Sequence, residues 1–326
     1  MKGKRINGLV CDAPADEMIR VALVAQLNSM CALRKKALVW SNPEGVHDMR
    51  VFSRRLRSAI ADFEPHLRKP ALPIAKLKTI AKSLGAVRDE DVAIAALEEL
   101  KTAAHGDVPE GIEVFIDERK KVREAARAAL TRAIRRAVID DFYEQFEKAI
   151  TRISIGSKKL AARSGSAPVF GTIAAKVIAA RLKAFRAAGA NIFFPFENAE
   201  LHELRILAKR LRYAVELFEC CGGDDTKAIA REIALLQTSL GELHDCDVWI
   251  EDLGTRLKKA ARRDKGKTPH EPTTAACTWL LKHFARERTE HYRDGLSRWQ
   301  QWEGERFLNA LASIFQTNKG EKNQHA

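Results

Sequence analysis

The stretch Val46–Phe63, VHDMRVFSRRLRSAIADF, returns once more as Leu201–Phe218, LHELRILAKRLRYAVELF. His47 matches His202, Arg50 matches Arg205, Arg54 matches Lys209, and Arg55-Leu56-Arg57 matches Arg210-Leu211-Arg212, all at a constant offset of 155 residues. A distinctive segment repeated at that distance indicates a chain built from two copies of one unit. On a helix turning about 100° per residue, Met49, Phe52, Leu56, Ile60 and Phe63 share one arc, the stripe a helix offers to a core. Leu204, Leu207, Leu211, Val215 and Phe218 repeat it. On the opposite side stand His47, Arg50, Arg54 and Arg57 in the first copy and His202, Arg205, Lys209 and Arg212 in the second. Lysine and arginine ordinarily lie on a solvated face. Like charges at i+3 and i+4 nevertheless disfavour one another by a few tenths of a kcal/mol per pair, and neither strip contains a carboxylate. The same uncompensated pattern at matching positions predicts an anion-binding face.

A second motif repeats in the same order. Leu84-Gly85-Ala86-Val87-Arg88-Asp89-Glu90-Asp91-Val92 matches Leu240-Gly241-Glu242-Leu243-His244-Asp245-Cys246-Asp247-Val248 at an offset of 156. One residue of slip means that the halves keep nearly equal internal lengths. The glycines suggest an interruption of the helix or a close approach of backbones, and the aspartates suit helix capping or charge-assisted bonds to arginine. A divalent metal on Asp89 and Asp91, or on Asp245 and Asp247, is the sharper alternative, but residues two apart on a helix do not face each other. No metal or cofactor is expected.

Around these motifs the periodicity predicts helices over residues 15–40, 46–63, 74–84 with continuation over 93–100, 114–152, 172–188, 201–218, 227–240 and 276–315. Period-2 alternation bounded by turn residues is hard to find, so the expected fold is all-α. Short connections favour antiparallel neighbours and hence a four-helix bundle in each half, related by a pseudo-twofold axis with the basic helices on one shared cavity. The expected boundaries are 12–155 for the first bundle, a linker at 156–168 (GSKKLAARSGSAP), 169–316 for the second bundle and a frayed tail at 317–326. Five tryptophans, Trp40, Trp249, Trp279, Trp299 and Trp302, are read as packing residues.

With 326 residues, a formal charge of +13 and charged residues at 30 %, the chain is large enough for two cores and favours a polyanionic partner. Six cysteines without CxxC spacing read as reduced thiols. The opening residues lack a signal-peptide h-region, and no run of about 18 apolar residues occurs. A soluble cytoplasmic protein with no membrane partner is the expectation.

The two VHxxRxxxRRLR-like segments and the two LGxxRDxDV-like segments, in order and in duplicate, resemble the CHAD family, the conserved-histidine α-helical domain. The resemblance covers roughly residues 15–315. It implies two four-helix bundles about a central basic cavity, binding of inorganic polyphosphate, and, in bacteria, association with polyphosphate granules. Carried over position by position, it points to His47, Arg50, Arg54, Arg57, His202, Arg205, Lys209 and Arg212, with Lys78, Lys82 and Arg88 behind them. The second copy departs from the first at Lys209 for Arg54, His244 for Arg88 and Thr238 for Lys82, which implies unequal walls. Arg123, Arg127, Arg286 and Arg293 add charge without an assignable role.

Arginine forks and lysine point charges suit successive phosphates, and an imidazole beside a bound anion gains a proton and donates. A P-loop, a Gly-rich dinucleotide loop and the ExExK pattern of the triphosphate-hydrolysing CYTH domain are all missing, so a binding module rather than an enzyme is expected. The rival is a nucleic-acid-binding protein. It is disfavoured because stacking aromatics are scarce in the strips, Tyr213 being the nearest. A phosphate-handling or granule-surface helical protein is the third possibility.

Overall fold

The structure is a computed structural model that describes residues 6–68, 72–153, 168–223, 225–263, 272–304 and 306–315. Eleven α-helices account for most of these residues, and an isolated β-bridge pairs Pro14 with Val169. The helices are α1 (Ala15–Ala32), α2 (Glu44–Phe63), α3 (Ile74–Ala103), α4 (Val108–Ala133), α5 (Arg136–Thr151), α6 (Phe170–Ala187), α7 (Asn198–Leu217), α8 (Glu219–Gly222), α9 (Asp225–Arg263), α10 (Pro272–Gly304) and α11 (Phe307–Ile314). The fold is all-α, as the patterning predicts. The expected linker at 156–168, apart from Pro168, and the expected tail at 317–326 lie outside the described residues.

The apolar stripes are where the periodicity puts them. Met49, Leu56, Ile60 and Phe63 of α2 and Leu204, Leu207, Leu211 and Val215 of α7, with Phe218 just beyond, are buried; Phe52 is only partly so. Phe63 and Phe218, the matching last residues of the two repeated stretches, meet edge to face with centroids 5.9 Å apart, and Phe170 of α6 completes the cluster. Edge-to-face rings align the positive rim of one with the negative face of the other and add about 0.5–1.5 kcal/mol to the burial. Helices also touch across the halves: α1 packs on α6, α2 on α7, and α4 on α10. One large apolar core runs through both halves, and a second, smaller one joins α3, α4, α9 and α10 around Ile94, Ile112, Phe115, Leu253 and Leu280.

Several expected boundaries move. Gly85 and Gly241 interrupt nothing: α3 and α9 run straight through them. A Cβ built on Gly85 would lie 3.8 Å from Arg50 Nε, and one on Gly241 would lie 3.6 Å from Arg205 Nε. The glycines leave bare helix on which those guanidiniums rest. The expected helix over 114–152 is two helices, broken at Ile134 and Arg135, where the backbone turns extended at Arg135 and Arg34 Nε donates to the Ile134 carbonyl at 2.7 Å. That side-chain bond satisfies a carbonyl at the end of α4. The first helix stops at Ala32 rather than Trp40. Gly45 there lies so close to the Lys36 carbonyl that a Cβ would fall 2.1 Å from it, so the chain must turn to bring the two backbones together. The last long helix is divided by Arg306, which adopts a left-handed φ of 52°.

Each basic helix starts behind local punctuation. The Asn42 side-chain oxygen accepts the Glu44 N–H at 3.0 Å ahead of α2, and α2 gives way at Glu64-Pro65 to a single 3₁₀ turn. Ahead of α7, Arg288 donates to the Pro195 carbonyl at 2.6 Å and to Asn198 Oδ1 at 2.9 Å.

Candidate functional site

Packing α2 against α7 brings the two basic strips together. Arg54 from α2 and Lys209 from α7 line one open cleft of about 530 Å³, with Arg57, Lys78, Arg181, Arg210 and Tyr213 also on its wall. Arg54 Nε is buried and meets no acceptor among the described residues. Burial is the main influence that lowers the Arg54 pKa; Arg50 and Arg212 add to it, while Tyr213 and Asp89 oppose it. For Lys209 the result is larger. Burial, then Arg205, Arg54, Arg50 and Arg212, push its ammonium down to about 7. A lysine held there reports a site where positive charge is crowded and under-hydrated.

The flanking positions differ between the halves. Arg50 reaches Asp89 of α3 at 2.9 Å, and that carboxylate remains well exposed. Arg205 is half-buried; burial lowers its pKa, Asp245 raises it and Arg54 lowers it. Asp245 is raised by burial and by Asp89, against the pull of Arg205, Lys209 and Arg50. His47 is partly buried and lowered by burial and then by Arg88, with Glu44 and Asp48 pulling the other way. On the second wall, His202 Nδ1 and His244 Nδ1 are 3.2 Å apart, with ring centroids at 4.1 Å. Burial, His202, Arg205 and Lys209 push His244 down to about 4. Burial, Arg205 and Lys209 lower His202 as well.

The remaining candidates separate. Arg57 and Lys78 are exposed at the cleft, Lys82 is exposed, and Arg88 is partly buried beside His47. Arg212 is turned toward α7 itself. Its guanidinium lies 5.0 Å from the Tyr213 ring centroid and 3.6 Å from Glu216, which also takes a 2.6 Å ion pair from Arg55 of α2. The strips are therefore partly compensated, by Asp89 from the next helix and by Glu216 one turn on. That corrects the expectation drawn from the strip alone.

The repeated aspartates hold arginines. Asp91 lies 3.6 Å from Arg123 and 3.8 Å from Arg127, and Arg127 also stacks over Trp40 at 5.1 Å. Asp247 takes Arg288 at 2.5 Å, while Arg286 and Arg293 are exposed. Asp89 and Asp91 thus face different partners, which removes the geometry a DxD metal site needs. Glu44, His47 and Asp48 do bring three ligand atoms within 4.8 Å, but Asp48 is already bonded by Lys36 Nζ at 2.8 Å. Sequence reasoning missed Arg181 and Arg210. Arg181 comes from α6, which carries no repeated motif, and donates to buried Asp62 at 2.6 Å; burial pushes that carboxyl up to about 6 against the pull of Arg181.

Two uncharacterized proteins of Mycobacterium tuberculosis, from strains CDC 1551 / Oshkosh and ATCC 25618 / H37Rv, are each 28% identical over 246 residues. That alignment covers 74% of this chain and 45% of each relative, so the chain spans about half the length of the curated relatives it matches. Among solved structures, the CHAD domain from the plant Ricinus communis superposes with a TM-score of 0.67 at 20% identity, covering 91% of this chain and 96% of that one. PptA from Streptomyces chartreusis superposes at 0.59 with 14% identity, covering 88% of this chain and 100% of its own. No helix among the described residues is long and apolar enough to cross a membrane. The CHAD domain family model matches residues 21–254, a span that holds both basic strips and both glycine–aspartate motifs, and the chain belongs to that family.

Proposed function

We propose that this protein is a non-catalytic module that binds inorganic polyphosphate at the meeting of α2 and α7, between two halves related by duplication. The carrying observation is Lys209: cations from both strips crowd it, and among the described residues it has no ion-pair partner within 4.0 Å. An anionic chain entering the cleft would relieve that repulsion while Arg54 and Lys209 neutralise successive phosphates. Arg50 and Arg205 flank them, and His47 and His202 stand at the head of each strip. Support for the duplicated arrangement comes from Phe63 on Phe218 and from like helices meeting like. Association with polyphosphate granules in the cell is part of the same proposal.

A nucleic-acid reading gains one observation, the exposed Phe193, Phe194 and Phe196 ahead of α7. Exposed Glu197, Glu200 and Glu203 follow that stretch directly in sequence and would repel a phosphate backbone. Long-chain polyphosphate is therefore expected to win a competition titration against single-stranded DNA of equal charge. Its affinity should fall with a log–log salt slope of roughly −3 to −4 for about four neutralised phosphates. Equal or tighter binding of DNA would overturn the assignment. Release of orthophosphate from polyphosphate in the presence of Mg²⁺ would overturn the non-catalytic part.

A further inference from the structure

We propose that capture of the anion is proton-coupled: the His202–His244 imidazole pair and Lys209 are neutral in the empty site and become charged as the phosphate chain enters. The inference rests on the polyphosphate reading and adds its regulation.

The geometry restricts what these groups can hold when empty. A 3.2 Å contact between two Nδ1 atoms requires one ring to donate and the other to accept, so at least one imidazole is neutral. One further proton fits without breaking that contact, because the donor ring keeps Nδ1–H and gains Nε2–H. Lys209 stands within reach of this pair and depresses both imidazoles.

The surroundings of Lys209 are cationic on most sides. Arg50 and Arg54 face it from α2, and Arg205 and Arg212 from α7 itself. From α9 come His244 and Asp245, and Asp245 in turn feels Asp89 of α3. Arg57, Lys78, Arg181 and Arg210 line the same cleft, with Glu64 as the one carboxylate among its described lining residues. The two aspartates are shared with Arg50 and Arg205, so they do not neutralise the lysine.

A phosphate chain reverses this balance by placing negative charge against Lys209 and the imidazoles, which raises the affinity of each for a proton. By reciprocity, protonation raises their affinity for the chain by the same factor. The sign follows for each group. Lys209 is held at about 7 in the empty site and rises toward its ordinary value when occupied, so its contribution is fully present below about 7 and is lost as pH climbs above it. For His244, held at about 4, the loss begins at lower pH and continues through the range between 4 and its occupied value.

Calorimetric titration of the full chain with long-chain polyphosphate tests this directly, run in pairs of buffers with unlike ionisation enthalpies. At pH 8 the wild type should take up about one proton per site, mostly at Lys209. At pH 6 it should take up a fraction that falls in His202→Asn/His244→Asn to what His47 and the small neutral fraction of Lys209 supply. Lys209→Arg should bind and take up essentially no proton at pH 8. Heat of binding without proton uptake at either pH overturns proton coupling and leaves the polyphosphate reading standing. No binding of the wild type at any pH overturns both.

Discussion

The two halves carry matching strips that differ in their titratable groups. In the first, His47 stands beside Arg88 and the strip runs through Arg50, Arg54 and Arg57. In the second, the position of Arg88 is His244, that of Arg54 is Lys209, and His202 pairs with His244 rather than with a fixed cation. Guanidinium groups stay charged at any accessible pH, whereas ammonium and imidazole groups shift readily when buried. The first strip is mostly guanidinium with His47 at its head, and the second sets Arg205 and Arg212 beside an ammonium and an imidazole pair. The repeated stretches match in order and spacing, and their differences at these positions make the two strips chemically distinct.

The largest effect should come from the guanidinium-rich strip of α2. Arg54→Gln is expected to weaken polyphosphate binding about 10- to 100-fold at every pH from 6 to 9, the loss of roughly 1.5–3 kcal/mol given up with a charged hydrogen-bond donor. Lys209→Met should match that loss at pH 6 but cost only a few-fold at pH 8.5, because the lysine is largely neutral there before binding. Titrations of both variants across this range check the contrast. A pH-independent loss for Lys209→Met would mean that the two walls are equivalent.

The same lysine should show its cost in the empty protein. With its folded value below its unfolded one, Lys209 binds fewer protons folded than unfolded between about 7 and its ordinary range, so the stability associated with it rises with pH there and is lowest below 7. Lys209→Met is therefore expected to raise the melting temperature below pH 7, by roughly 2–4 °C for each kcal/mol relieved. Thermal melts at pH 6 and pH 9 give the comparison. An equal shift at both would place the effect in apolar packing.

The repeat, the core stripes and the convergence of strips were legible in the sequence because helical periodicity assigns faces without reference to a partner. The arginine-holding role of Asp89, Asp91 and Asp247 was legible as well. Rotamers were not. Arg212 shares an arc with Lys209, yet its guanidinium lies on Tyr213 and Glu216, a choice that depends on Arg55 arriving from the other half. Nor was the break at Ile134, where neither glycine nor proline marks the turn and the stabilising contact, from Arg34, lies 100 residues away. Gly85 and Gly241 misled for the opposite reason. Glycine weakens an isolated helix, but α3 and α9 are held by packing along both flanks.

Those glycines offer the smallest and finest test of whether the walls also differ in shape. Replacing glycine by alanine inside a helix stabilises it by about 0.8–1 kcal/mol. At both positions the new methyl would meet arginine at ordinary contact distance, 3.8 Å from Arg50 Nε and 3.6 Å from Arg205 Nε. Arg50 is tethered to Asp89 at 2.9 Å and has little room to respond. Gly85→Ala and Gly241→Ala should therefore each raise the melting temperature by roughly 2–4 °C while changing polyphosphate affinity less than about threefold. The loss should be greater at Gly241, where the approach is closer. If Gly241→Ala abolishes binding and Gly85→Ala leaves it intact, bare helix surface beside Arg205 belongs to the anion seat, and the walls differ in contour as much as in charge.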